Sequence, residues 1–210
     1  MKKITLTLLG LVAFSTSALA QQEVKFGPKA GVNFATVNGK DTDEAKMMIG
    51  FHVGAFAEIK FNEQFAIQPE ILYSAQGSKY EGTFNNVEYK YDYINVPILA
   101  KYYIVPSFAV EAGPYVGFLM SAKAEGTINY MGENVSIDSD EKDFSNSIDF
   151  GVGAGVSFNL ENGFFVGARY NLGLTKIGKE NSQTIGGVEI SREALDTKNG
   201  VIQVGVGYKF

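Results

Sequence analysis

The feature that most constrains this chain is a side-chain alternation of period two that recurs along its length. At the C-terminus Ile202, Val204, Val206, Tyr208 and Phe210 share one face, and Gln203, Gly205, Gly207 and Lys209 share the other. Over 148–160, Ile148, Phe150, Val152, Ala154, Val156, Phe158 and Leu160 oppose a face of Asp149, glycines, Ser157 and Asn159. Over 164–174, Phe164, Val166, Ala168, Tyr170, Leu172 and Leu174 oppose Phe165, Gly167, Arg169, Asn171 and Gly173. Successive side chains of a strand point to opposite faces, whereas a helix repeats every 3.6 residues. The same test predicts eight strands, near 24–36, 48–61, 64–77, 91–104, 107–122, 147–160, 163–175 and 200–210.

The connections alternate in length. Asn62-Glu63, Val105-Pro106 and Glu161-Asn162 read as tight turns, and long polar loops fall near 37–47, 78–90, 123–146 and 176–199. Short turns at one end and long loops at the other mark an all-β, eight-stranded antiparallel up-and-down transmembrane β-barrel. Three long loops carry hairpin signals of their own, centred on Asn85-Asn86, Met131-Gly132-Glu133 and Gly186-Gly187, so strand pairs should continue beyond the bilayer.

A soluble barrel would place the apolar face inside and a charged face in water. Here the polar face is dominated by Gly, Ser, Asn and Gln, which suits a narrow interior. The apolar face carries no charge through its middle. In water it would be a patch far above a few hundred Å²; in lipid it is required. Aromatic residues gather beside the short turns, as Phe61 with Phe65, Tyr102 with Phe108, Phe158 with Phe164 and Tyr208 with Phe210, which suits an interfacial girdle. Pro28, Pro69 and Pro114 lie within strands, where each removes a ladder bond and is expected to mark a bulge.

The start of the chain is set apart. Met1-Lys2-Lys3 is basic, Ile4 to Val12 is largely apolar, and Ala18-Leu19-Ala20 offers small residues where a signal peptidase reads. Residues 1–20 are expected to be a signal peptide and 21–210 an outer-membrane β-barrel domain. The apolar run is too short for a helical anchor of about 20 residues. No Cys is present among the 210 residues, so disulfides and thiolate metal sites are excluded, and the net charge of −5 gives nucleic acid no basic footprint.

Several segments together are similar to the PorT-like outer-membrane β-barrel family of the Bacteroidota. Pro28-Lys29-Ala30-Gly31-Val32-Asn33-Phe34 resembles that family's first strand, Gln68-Pro69-Glu70-Ile71-Leu72-Tyr73 its third, and Tyr93 to Tyr103 its fourth. Gly113-Pro114-Tyr115-Val116-Gly117 resembles the fifth, Asp149-Phe150-Gly151 the sixth, and Ala168 to Leu174 the seventh. The resemblance implies a barrel in the outer membrane of a Gram-negative bacterium and little about activity. Tyr208 and Phe210 also resemble the C-terminal signal read by the outer-membrane barrel assembly machinery.

Strand parity sends Lys29, Lys101 and Arg169 inward, with Glu58, Glu70 and Glu111. Buried charges persist when paired and hydrogen-bonded, so these six are read as a network filling the lumen; a small gated channel is the alternative. His52, with Ser74, Ser121 and Asp149 expected to point inward near the strand tops, could in principle serve a hydrolase, but no spacing makes that specific. Asp138, Asp140, Glu141 and Asp143 lack the glycine and closing Glu of a calcium loop. No cofactor motif is present, and no catalytic or metal residue is assigned. The reading is a monomeric barrel in outer-membrane lipid with a structural or interaction role: membrane integrity, adhesion, or binding of an extracellular or periplasmic protein partner, with the extracellular 123–146 and 176–199 loops as the binding segments. A narrow porin and a membrane-embedded hydrolase stand as alternatives.

Overall fold

The computed structural model describes residues 23–39, 42, 45–82, 85–130, 133–179, 181–185, 188–192 and 196–210. The expected signal peptide lies outside them, as do Thr83-Phe84, Met131-Gly132 and Gly186-Gly187. The strands are β1 (Glu23–Gly39), β2 (Ala45–Lys60), β3 (Phe65–Glu81), β4 (Asn85–Val105), β5 (Phe108–Tyr130), β6 (Glu133–Asp140), β7 (Ile148–Asn159), β8 (Phe164–Gly173), β9 (Asn181–Ile185), β10 (Val188–Arg192) and β11 (Thr197–Tyr208).

Eight of these form a closed ring. Antiparallel pairing runs β1, β2, β3, β4, β5, β7, β8 and β11, and β11 returns to β1 through Lys29 opposite Gly207 to Gly39 opposite Thr197. Closure leaves the ring no unpaired edge, which is what allows a sheet to sit in lipid. The eight strands fall where the alternation put them. β6 is the extra leg of the long loop and pairs the upper half of β5, from Lys123 opposite Asp140 to Tyr130 opposite Glu133. β9 and β10 form a separate hairpin with Ile185 opposite Val188.

The short turns follow from their residues. Asn62 Oδ1 accepts the backbone N–H groups of Gln64 and Phe65 at 2.9 and 2.8 Å, folding the chain between β2 and β3. Pro106 and Ser107 alone join β4 to β5, with Val105 opposite Phe108. Gly163 takes φ 90° between β7 and β8, where a side chain would be strained.

The barrel is inside out relative to a soluble one. Ile49, Phe51, Ile71, Phe150, Val152 and Val206 are exposed, while Asn33, Glu58, Gln68, Ser74 and Lys101 are almost wholly buried. Around the short-turn end the aromatic rings touch. Phe65 meets Tyr102 with centroids 5.0 Å apart, and Tyr208 packs between Phe164 and Phe210 at 4.8 and 5.0 Å.

Three expectations need correction. The prolines do not mark bulges, because the register runs past Pro28, Pro69 and Pro114 without a shift. The shifts lie instead between Met47 and His52, between Asp92 and Tyr93, and near Tyr103. The second of these reverses parity on β5. Leu119 and Ala122 are both buried against Tyr93, so Ser121 turns outward beside Asp92 rather than into the lumen. The hairpin between β3 and β4 turns earlier than Asn85-Asn86, since Asn86 already pairs with Glu81.

Candidate functional site

The inward faces of the ring meet in a polar column with three levels. The lowest is ionic. Arg169 on β8 crosses the lumen and donates from Nη1 and Nη2 to Glu70 on β3, at 2.9 and 2.8 Å. Its Nε and Nη2 also donate to Glu111 on β5, at 2.9 and 2.7 Å. The planar guanidinium suits this task because its five donors are fixed in a fork that matches carboxylates. Lys29 on β1 adds a longer contact to Glu70, at 3.3 Å.

Lys101 on β4 links this group to a second one. It donates to Glu58 at 3.1 Å and to Gln68 at 2.9 Å, and lies 3.8 Å from Glu111. Gln68 in turn donates to Glu70 at 2.7 Å. Glu58 is fully buried and is surrounded by donors: Lys101, the Tyr103 hydroxyl at 2.7 Å and Lys209 at 2.8 Å. The structure therefore brings the six charged residues singled out by parity into one contiguous set.

Sequence reasoning missed three members: Lys209, Tyr103 and Gln68. Lys209 also donates to Asn159 at 2.7 Å, so the last residue but one of the chain bridges three strands across the lumen. The signal was available. Lys209 shares parity with Gln203, and Tyr103 shares parity with Lys101.

Above the ions lies a neutral layer. Asn33 Nδ2 donates to Ser74 Oγ at 2.9 Å and to the carbonyls of Phe51 and Ala75, and its Oδ1 lies 2.8 Å from His52 Nδ1. The His52 ring comes close to Gly31 and Gly205; a Cβ on Gly205 would sit 2.8 Å from His52 Nε2. The cavity bordered by Lys29, His52, Arg169 and Gln203 holds only about 10 Å³, room for about one water. At the top, Asp149 accepts from Tyr115 and Asn199, both at 3.0 Å.

This arrangement does not assemble a hydrolytic triad. His52 Nδ1 faces an amide rather than a carboxylate, Ser74 is held by Asn33 and Gln76, and Asp149 serves the top layer. Among the described residues no group of three or more His, Asp or Glu side chains converges as a metal site.

A closed antiparallel ring with a lipid-facing apolar wall and a polar, crossed interior defines an outer-membrane β-barrel protein of a Gram-negative bacterium. The chain belongs to the outer membrane protein beta-barrel domain family, whose model matches residues 19–178. Among solved structures it is similar to Ail, the attachment invasion locus protein of Yersinia pestis. The identity is 17%, the match covers 90% of this chain and 99% of that one, and the TM-score is 0.50. Ail in complex with the heparin analogue sucrose octasulfate matches at 18% identity over 90% and 99% of the two chains, with a TM-score of 0.52. CarO of Acinetobacter baumannii matches at 13% over 88% and 97%, with a TM-score of 0.50. These likenesses establish a shared fold. No curated protein matches the chain by sequence.

Proposed function

We propose that this protein is a sealed barrel whose work is done at the cell surface, as a structural or interaction protein rather than a pore or an enzyme. The observation that carries this reading is the path of Arg169 across the lumen to Glu70 and Glu111. An eight-stranded barrel is only just wide enough for its side chains, so a guanidinium held by two carboxylates from other strands occludes it. What remains free to act is the part beyond the bilayer. A membrane strand needs about 9–11 residues, whereas β4 has 21 and β5 has 23. The surplus length forms a raised wall of β3, β4, β5 and β6 whose outer face is ruled with charge, as in the row Lys79, Glu88, Glu125 and Asp138.

The strand segments quoted above support a PorT-like member of the Bacteroidota, exported by a signal peptide cleaved after Ala20. Tyr208 and Phe210 serve as the segment read by the barrel assembly machinery, and the mature barrel is a monomer.

The test of the interaction role is removal of the 123–146 wall at its root, joining Ala122 to Ser147. Surface binding by cells expressing the shortened barrel should fall to background while the heat-resistant folded band persists. Unchanged adhesion and unchanged envelope integrity with the wall removed would refute a surface role for it.

A further inference from the structure

The outer wall carries a groove of about 420 Å³ at the upper margin of the apolar band. Its floor is made of small residues: Gly50 on β2, Ala75 on β3 and Ser121 on β5. The parity reversal on β5 creates it, because that shift turns Ser121 and Lys123 to the outside. Three long cations stand around its upper side, Lys79, Lys90 and Lys123, one from each of three neighbouring strands. Its lower lip is Ile49 and Phe51, both strongly exposed and continuous with the lipid-facing wall.

We propose that this groove binds the phosphorylated headgroup of an outer-leaflet lipid. The lower lip sits where acyl chains end, and the lysines sit where headgroups begin. Each ammonium has three donors. Lys79 gives one to Glu88, Lys90 gives one to Glu125 and lies 3.8 Å from Glu88, and Lys123 has no ion pair among the described residues. Two of the three carboxylates on the groove are already engaged, Glu88 and Glu125, both by these lysines. The three ammoniums are balanced in charge by Glu88, Asp92 and Glu125, but the lysines keep N–H donors to spare, and the floor of small side chains leaves a tetrahedral anion space to approach them. A free phosphate would use the same donors, but it would leave Ile49 and Phe51 uncovered. The amphipathic lip selects a lipid as the source.

The test uses the full mature barrel, folded in detergent micelles, with native mass spectrometry as the readout. The probes are bisphosphorylated lipid A, the same lipid without its phosphates, and inorganic phosphate. The phosphorylated lipid should bind at least about tenfold more tightly than its dephosphorylated form, with about fivefold lost for each lysine removed. Two variants are compared, the triple change K79A/K90A/K123A and A75W, which fills the floor and keeps every charge. Both should bind the phosphorylated lipid weakly while retaining the heat-resistant band. If the triple variant does not fold, A75W decides alone. Equal affinity for the two lipids, or full binding by A75W, would overturn the site; inorganic phosphate binding as tightly as the lipid would overturn the lipid source.

Discussion

Arg169 and Glu70 are 99 residues apart in sequence and form a two-bond fork across the barrel, at 2.9 and 2.8 Å. Both side chains are almost wholly buried. The pair ties β8 to β3, which are not neighbours in the ring, so it braces the barrel across its width as well as filling it.

Replacing Arg169 with Ala should therefore leave two buried carboxylates short of a partner. Breaking one side of such a network costs about 3–5 kcal/mol in soluble interiors. The folded band should lose heat resistance, and the unfolding temperature in detergent should drop. The double change Arg169→Ala with Glu70→Gln should recover part of the loss, since the second substitution removes an unpaired charge. A double variant no more stable than the single one would show that the charge itself is not what matters.

Lys209 should prove less costly. Glu58 keeps Lys101 and the Tyr103 hydroxyl when Lys209 is changed to Ala, so the loss should be about 1.5–3 kcal/mol, the range for hydrogen bonds to a charged group. Denaturant titration of refolded protein measures it. A loss as large as that of Arg169→Ala would place the main brace at the C-terminus instead.

Deleting Phe210 should act on assembly. Its ring lies 5.9 Å from Phe26 and its backbone N–H donates to the Phe26 carbonyl at 2.9 Å, outside the ladder of β11. Barrels already inserted lose little from its removal, whereas the chain should insert poorly. Outer-membrane yield compared with total synthesis reports this; normal yield of the truncated chain contradicts it.

Gly205 should not tolerate a methyl group. A Cβ there would stand 2.6 Å from the Ala30 carbonyl oxygen and 2.8 Å from His52 Nε2. The carbonyl is backbone on the neighbouring strand and cannot give way, so Gly205→Ala should destabilise by about 1–3 kcal/mol. Adding His52→Ala should restore only a minor part, because the backbone contact stays. Full recovery in the double variant would make the imidazole the whole obstacle.

Above the bilayer, the pair of Lys90 and Glu125 sets a pH window. The hydrogen bond from Lys90 holds the Glu125 carboxyl below its ordinary range, and the same contact raises the Lys90 amine. A depressed acid contributes above its unfolded pKa of about 4.3 and loses that contribution as pH falls through its folded value. A raised amine contributes below about 10.4 and loses it as pH rises through its folded value. The pair should thus be intact across neutral pH, with a small effect because both groups are solvated. Carboxyl carbon NMR should place the Glu125 midpoint below that of a free Glu, and Lys90→Ala should return it upward. An unmoved midpoint in the variant would assign the shift elsewhere.

Much of this was legible in the sequence because period two carries both the strand and the face. Val204 and Gln203 could be assigned to lipid and lumen from parity alone, and so could Arg169 and Glu111. Parity fails where a strand gains a residue. The shift opposite Asp92 and Tyr93 sent Ser121 outward, and nothing in the local sequence marks it. Prolines misled for the opposite reason: Pro69 and Pro114 lose a donor yet keep the register, so they cost a bond without adding a residue. Lys209 stands on the same face as Gln203 but is not counted with the six inward charges; its contact with Glu58 comes from the closure of β11 on β1, which joins residues 151 apart.

The most direct measurement of the sealed lumen is single-channel recording of the purified barrel in planar bilayers, alongside the Arg169→Ala variant. With Arg169 bound to Glu70 and Glu111, the unmodified protein should show no steady openings, and any leak should arise only in the variant. Steady ion-selective openings in the unmodified protein would make these charges the lining of a pore and contradict the account.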